Sequence, residues 1–294
     1  MAREQTPLQR IASDFLASKL ALVGLVLLAL YLLGALLAPW LATQDPYDLT
    51  QLDLLDSRLP PGAFSADGAH RYWLGTDAQG RDMLSAILYG LRISLGVGGA
   101  ATALALAIGV TVGLIAAFFG GALDTVLMRV VDIQLSFPAI LIALILQVLM
   151  GPGAGKIVVA LVAVQWAYYA RAVRGAALAE RRREYIEAAV CLALPPWRIL
   201  FRHLLPNCLP PLLVLAAVQV AAAIALEATL SFLGLGLPIT QPSLGLLISN
   251  GFNYLLSGQY WISLFPGLAL LGVILSINLM MDRLRDVLDP RFQT

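Results

Sequence analysis

Six long apolar stretches constrain the fold of this chain more strongly than any other feature of its sequence. A helix that crosses the hydrocarbon core of a bilayer needs about 20 apolar residues, and each stretch meets that requirement. Apolar residues make up 60% of the 294 residues and charged residues only 13%, far from the averages of soluble domains. We therefore predict an all-α polytopic membrane protein with six transmembrane helices. The stretches are residues 20–41, 93–119, 126–150, 157–177, 209–233 and 261–281.

The segment before the first stretch has the pattern of an amphipathic helix. Leu8, Ile11, Phe15 and Leu16 share one helical face, which predicts that residues 1–19 lie along the membrane interface. A solvated leader is the alternative. The first stretch exceeds the apolar region of a signal peptide, so we interpret it as a retained span.

Lys and Arg residues are distributed unevenly between the two sides that six spans would create. Most of them lie near the N terminus, the connection at 179–207 and the C terminus. Because basic residues beside spans are retained in the cytoplasm, we predict that both termini are cytoplasmic. The predicted organisation is a cytoplasmic segment 1–19, a first span with an extracytoplasmic loop over 20–92, a five-helix core over 93–282 and a cytoplasmic tail over 283–294.

The polar residues of the chain do not indicate an enzyme. The formal net charge of +1 gives no reason to expect a nucleic-acid partner, and two cysteines without ligand spacing predict neither a disulfide framework nor a metal site. The segment 150–157 resembles a phosphate-binding loop, but Met150 replaces its first glycine and Ile157 its hydroxyl residue. We expect no catalytic residue, metal or cofactor in this chain.

Two connections on the predicted outer side are longer than a turn requires. Residues 42–92 combine turn formers with carboxylates and aromatics, which predicts a folded cap over the helix ends, with direct substrate contact as the alternative. Residues 234–260 carry no charge and are interrupted by Pro and Gly. Two interpretations stay open for this second connection: a segment that dips into the membrane and lines a pore, or a plain outer loop.

The connection at 179–207 predicts two short helices, 184–193 and 198–205. Pro195 and Pro196 separate them, and Pro206 with Asn207 ends the second. In the second helix an apolar ridge lies between basic side chains, a pattern that suits the groove of another protein. An anionic lipid surface is the alternative. The ridge comprises Ile199, Leu200, Leu204 and Leu205, and the basic residues are Arg198, Arg202 and His203.

Ionisable residues inside predicted spans are candidates for function because they are costly to bury in a membrane. Glu227 is either a polar contact along a translocation pathway or an interhelical partner, for which Lys156 and Arg92 are candidates. Gln219 is a weaker candidate of the same kind.

Asp132 is a second ionisable residue within a predicted span. It shares a helix face with Arg129, three residues earlier, which favours a local pair. Arg171 and Arg174 are alternative partners.

Several segments, in order along the chain, resemble a known family. Glu187-Ala188-Ala189, Ala193, Ile199 and residues 205–207 resemble the EAA loop of permease subunits in binding-protein-dependent ABC importers. Further segments are similar to the C-type permeases of dipeptide, oligopeptide and nickel importers. These segments are 73–82, 89–95, 128–132, 137–138, 230–236 and 278–290.

The resemblance implies a type I ABC importer permease fold in the bacterial inner membrane. It implies three kinds of partner besides the lipid bilayer: a second, homologous permease in a heterodimer, two cytoplasmic ATPases that bind ATP and Mg, and an extracytoplasmic binding protein. The cargo that it implies is di- or oligopeptides, with nickel or glutathione-like cargo as alternatives. A stand-alone secondary transporter or channel and an intramembrane enzyme are the competing functions, and neither accounts for the connection at 179–207.

The resemblance further implies that residues 179–207, the coupling loop, dock on an ATPase. Ala193 occupies the position of a customary glycine, so we expect Pro195 and Pro196 to shape the turn instead. The residues expected to couple to the ATPase are Glu187, Ala188, Ala189, Ala193, Pro196, Arg198, Ile199, Arg202, Leu205 and Pro206.

Overall fold

The computed structural model describes residues 13–48, 50 and 52–288, which form a bundle of helices. Five helical segments are long and apolar enough to cross a membrane, and the number of candidate spans is six if a bent pair of shorter helices counts as one span. Leu8, Ile11 and residues 289–294 of the predicted tail lie outside the described residues, so the amphipathic segment remains a prediction. The helices are α1 (Lys19–Leu36), α2 (Met83–Phe119), α3 (Gly121–Ser136), α4 (Ala139–Met150), α5 (Ala154–Glu180), α6 (Glu184–Cys191), α7 (Leu205–Phe232), α8 (Leu244–Phe252) and α9 (Trp261–Leu288).

The third predicted span, 126–150, is wrong as a single straight helix. Helices α3 and α4 meet at an angle of 88°. Phe137 between them is extended, with φ −93° and ψ 142°, and Pro138 precedes the first residue of α4. Proline disfavours helical backbone in the residue before it and cannot donate a main-chain hydrogen bond, so the apolar run breaks here.

Helix α2 begins ten residues before the predicted start of the second span. Its N-cap is Asp82, whose carboxylate accepts hydrogen bonds from the backbone N–H of Ser85 at 2.9 Å and from the Ser85 hydroxyl at 2.5 Å. The resulting helix has 37 residues, more than a bilayer requires. The prediction placed the boundary at Arg92 because it followed hydropathy, whereas the cap residue determines where the helix starts.

Helices α2 and α5 lie side by side because two glycines of α2 remove the side chains between them. A Cβ on Gly109 would lie 2.4 Å from the Trp166 carbonyl oxygen, and one on Gly113 would lie 2.5 Å from the Ala170 carbonyl oxygen. Small residues four apart allow such close approach of membrane helices. The two helices run parallel, so the first residues of both lie at one end of the bundle and the coupling loop lies at the other.

The described residues within 42–82 form a folded cap, and residues 83–92 of the predicted connection belong to α2. Inside the cap, the buried carboxylate of Asp56 accepts hydrogen bonds from the Tyr72 hydroxyl at 2.8 Å and the Ala66 N–H at 2.7 Å. Two further bonds attach the cap to the bundle: Trp261 Nε1 donates to the Thr76 carbonyl at 3.1 Å, and Arg81 Nη2 donates to the Ile239 carbonyl at 2.9 Å. The cap therefore covers the ends of the helices.

The connection between α7 and α9 is not a plain loop. It contains α8, whose residues Leu244 and Leu247 are buried in the same core cluster as residues of α2, α7 and α9. A Cβ on Gly245 would lie 2.3 Å from the Ala228 carbonyl oxygen, so α8 packs directly on the backbone of α7. An uncharged sequence suits this position because most of the helix is enclosed by protein.

Candidate functional site

The coupling loop turns sharply between α6 and the following helical segment through a Schellman motif. Ala193 has φ +50°, in the left-handed region. Its N–H donates to the Val190 carbonyl at 2.9 Å, and the N–H of Leu194 donates to the Ala189 carbonyl at 3.2 Å. The expectation that the prolines replace a glycine-like turn is therefore wrong: Ala193 adopts the positive φ itself, and Pro195 and Pro196 follow the completed turn.

The second half of the coupling loop is continuous with a span, contrary to the prediction that Pro206 and Asn207 end a separate helix. Residues Pro196–Arg198 are α-helical, Ile199–Leu204 are π-helical, and α7 follows without a break. In the π-helical part the N–H of Leu205 donates to the Leu200 carbonyl. Pro206 lies in the first turn of α7, where a helix tolerates a residue without an N–H.

One face of the coupling loop is an anchor on the spans. Its buried apolar residues form a single cluster with residues near the ends of α2 and α5, so the loop is held rigidly against both helices. The predicted exposed ridge is wrong for this reason: Ile199, Leu200 and Leu204 are buried in that cluster, and Leu205 is half-buried. Ala189, another predicted coupling residue, is also buried there.

The opposite face of the coupling loop carries an exposed apolar patch that the sequence interpretation missed. We call Val190, Leu192, Trp197 and Phe201 the docking patch; their exposed fractions are 56%, 74%, 65% and 53%. A signal was present in the sequence, because Trp197 and Phe201 are four residues apart and share a helix face. The predicted residues that are exposed beside the patch are Glu187, Ala188, Ala193, Pro196, Arg198, Arg202 and Pro206.

Side-chain hydrogen bonds also hold the coupling loop against the neighbouring helices. The Tyr185 hydroxyl donates to Glu180 Oε1 at 2.9 Å, and Asn207 Nδ2 donates to that hydroxyl at 2.9 Å, so α5, α6 and α7 are connected through one side chain. Burial, followed by the Glu180 carboxylate, raises the pKa of Tyr185 to about 12, which keeps the donor protonated. Arg181 Nη1 adds a bond to the Ala117 carbonyl at 2.9 Å. These bonds therefore connect the coupling loop to α2, α5 and α7.

Replacing Ala193 by Gly is expected to stabilise the coupling loop by about 0.5–1 kcal/mol. An L-residue at positive φ costs about 1–2 kcal/mol, and glycine avoids that cost while losing part of the gain to its freer unfolded state. Hydrogen exchange of the amides at positions 193 and 194, in the purified variant and in the wild type, measures the free energy of opening of the turn. Slower exchange than in the wild type is expected, and equal or faster exchange would contradict the turn geometry.

Glu227 is fully buried in α7 and is held by hydroxyl groups. Ser94 Oγ of α2 donates to Glu227 Oε2 at 2.8 Å, and Ser231 Oγ donates to Oε1 at 2.7 Å. The candidate ion pairs with Lys156 or Arg92 are not found among the described residues, where serines take that place. The carboxyl group therefore connects two helices.

Asp132 pairs with Arg171 of α5, and not with Arg129 as the helix spacing favours. Arg174 forms a second interhelical pair, with two hydrogen bonds of 2.5 and 2.6 Å to Asp124. Both pairs fasten α3 to α5 next to the coupling loop. Gln219 contributes its backbone carbonyl, which accepts a hydrogen bond from Gln165 Nε2 at 2.9 Å.

Two family models match this chain. Residues 109–294 match the family described as binding-protein-dependent transport system inner membrane component. Residues 6–61 match the N-terminal TM domain of oligopeptide transport permease C. The first match contains α3–α9 and the coupling loop, and the second contains α1.

Curated relatives align with nearly the whole chain. The dipeptide transport system permease protein DppC of Haemophilus influenzae is 37% identical over 289 residues, 98% of this chain and 96% of the relative. The di/tripeptide permease DppC of Pseudomonas aeruginosa is 36% identical and covers 98% of this chain, with 93% of the relative covered. The probable D,D-dipeptide permease DdpC of Escherichia coli is 38% identical over 93% of this chain and 88% of the relative.

Solved structures of an ABC transporter share the fold of this chain. Two crystal forms of the inward facing MetNI methionine ABC transporter match with TM-scores of 0.56 and 0.57, at 21% identity, over 70% of this chain and 97% of theirs. This likeness shows the type I permease fold. The family match, the relatives and the fold agree: the chain belongs to the binding-protein-dependent transport system inner membrane components and is a multi-pass permease subunit of an ABC importer, not an enzyme.

Proposed function

We propose that this permease forms half of the pathway for di- or oligopeptides, which an extracytoplasmic binding protein delivers. A second, homologous permease supplies the other half, and two cytoplasmic ATPases bind ATP and Mg and drive transport. The observation that carries the proposal is the docking patch, a set of exposed apolar side chains on a loop anchored to three spans. The peptide cargo is supported by the relatives, which are named dipeptide and di/tripeptide permeases.

The proposed mechanism follows from the rigidity of the coupling loop. When ATP draws the two ATPases together, the docking patch moves with the surface on which it is seated. The anchoring cluster and the Tyr185 bonds transfer that movement to α2, α5 and α7. The permease then changes from inward-open to outward-open, and substrate affinity resides mainly in the binding protein.

Purification of the tagged chain in mild detergent from its native host tests the proposed assembly. We expect a second six-span permease and two ATPase copies, identical or different, to be recovered with it. Screening the associated binding protein against peptides, nickel chelates and glutathione then identifies the cargo. Recovery of the chain alone, with transport activity and without ATPases, would favour a secondary transporter.

The proposed orientation places the cap on the extracytoplasmic side of the membrane and both termini in the cytoplasm. Reporter enzymes fused at Asp67 in the cap and at Arg182 in the coupling loop test it. We expect periplasmic activity from the first fusion and cytoplasmic activity from the second. Reporters that indicate the same side would refute the orientation.

A further inference from the structure

A pocket of about 390 Å³ lies at the cap end of the bundle, where four separate parts of the chain meet. The cap contributes Tyr47, α2 contributes Arg92, and the segment before α8 contributes Gln241. The apolar wall is made by Ile93 and Val97 of α2 and by Ala154, the first residue of α5. A mostly apolar pocket of this size with a few convergent polar groups is typical of sites that bind small molecules.

Arg92 is the charged group among the described residues that line the pocket. Its side chain is exposed, and it takes part in none of the ion pairs found in the described ranges. A guanidinium group remains protonated and offers planar, paired N–H donors, which match the two oxygens of a carboxylate. The pocket therefore offers an anion a fixed positive charge.

Tyr47 is positioned to add a neutral hydrogen-bond donor. Its ring packs edge-on against Tyr89, with centroids 4.9 Å apart and an interplanar angle of 85°. Its backbone N–H donates to Asp45 Oδ1 at 2.9 Å. Burial raises the pKa of Tyr47 well above its usual value, so the phenol keeps its proton.

A second arginine acts electrostatically on Tyr47. This residue, Arg81, is buried. Its Nη2 bonds to the Ile239 carbonyl, while Nε and Nη1 have no hydrogen-bond partner among the described residues. The carboxylates of Asp45 and Asp77 act on Tyr47 and Arg81 respectively, but neither is among the described residues that line the pocket.

We propose that this pocket binds the C-terminal carboxylate of the peptide cargo. Arg92 pairs with the carboxylate, and the Tyr47 hydroxyl and the Gln241 amide hydrogen-bond to the polar atoms next to it. The volume accommodates a dipeptide, and the apolar wall accepts its side chains. This inference rests on the proposed peptide transport and names the group of the peptide that the permease recognises.

The test measures binding of dialanine and of dialanine amide to the assembled complex in nanodiscs by saturation-transfer NMR. The amide lacks the carboxylate, so the difference in affinity between the two ligands measures recognition of that group. The measurement is made without the binding protein. We expect the wild-type complex to bind the free acid about 5- to 10-fold more tightly than the amide, as for one charge-assisted contact in a partly solvated pocket. Arg92→Gln is expected to abolish that preference, and Arg92→Lys to restore part of it.

Lys156→Gln is the matched control, because Lys156 is an exposed cation at the same end of the bundle that is not among the described lining residues. It should leave the preference for the free acid unchanged. An Arg92→Gln complex that keeps the preference, or a wild-type complex without one, would overturn the proposal.

Uptake kinetics distinguish two carboxylates that Arg92 could bind: that of the cargo and that of an acidic side chain of the binding protein. If Arg92 recognises the cargo, Arg92→Gln lowers kcat for dialanine uptake about 5-fold or more and leaves KM for the loaded binding protein unchanged. A raised KM with unchanged kcat would assign Arg92 to protein docking and overturn the proposal. A wild-type complex that imports no peptide would instead refute the proposed function itself, which distinguishes the two failures.

Discussion

Replacing Trp197 by Ser is expected to weaken docking of the ATPases about 30-fold or more and to reduce ATP-driven uptake in the same proportion. Trp197 is 65% exposed at the tip of the coupling loop, so the permease itself gains no stability from burying it. Exposed tryptophans that become buried in an interface are frequent hot spots, and truncating one costs about 2–4 kcal/mol of binding free energy. The fraction of ATPase retained on the tagged permease after gel filtration measures the loss.

Trp40→Ser is the matched control for Trp197→Ser. Trp40 is 80% exposed, but it follows α1 at the cap end, far from the docking patch. Its replacement should leave ATPase retention at the wild-type level. A Trp197→Ser permease that retains its ATPases and transports normally would remove the docking patch from the mechanism.

The double substitution Gly109→Ala and Gly113→Ala is expected to destabilise the permease by about 2–6 kcal/mol. Each added Cβ would lie within 2.5 Å of a backbone oxygen of α5, and overpacking of a close interface costs about 1–3 kcal/mol per site. Separation of α2 from α5 also disturbs the cluster that anchors the coupling loop. Thermal unfolding in detergent and the yield of monodisperse protein measure the effect.

Gly99→Ala is the control on the same helix. A Cβ at Gly99 would meet no atom within 4 Å, so alanine should gain helix propensity there at no steric cost. We expect an unchanged or slightly raised unfolding temperature. Equal stability of the double variant and this control would contradict the close contact between α2 and α5.

Hydropathy predicted the order of the apolar helices and the five candidate spans outside the bent pair, because the bilayer requirement acts on local composition alone. It could not predict the bend at Phe137 and Pro138 or the start of α2 at Met83. Those features depend on single residues: a proline that removes a backbone donor and an aspartate that caps a helix. Window averages do not register them.

The sequence predicted a helix, a turn and a second helical segment over 179–207, but not which face of the second segment is buried. Residues 196–205 are apolar on two faces, and either could meet another protein. Packing against Leu114 of α2 and Val173 of α5 determines which face is buried. Because both helices are distant in the sequence, the local pattern could not predict this packing. For the same reason the sequence favoured Arg129 as the partner of Asp132 and gave Arg171, which lies on another helix, only as an alternative.

ATP-dependent uptake in proteoliposomes tests the central claim most directly. The purified permease pair and its ATPases are reconstituted, the loaded binding protein is supplied on one side, and ATP with Mg is supplied at the ATPases. We predict dialanine accumulation that requires both ATP and the binding protein and that Trp197→Ser reduces about 30-fold or more. Accumulation by this chain alone, without ATP or the other subunits, would contradict the account.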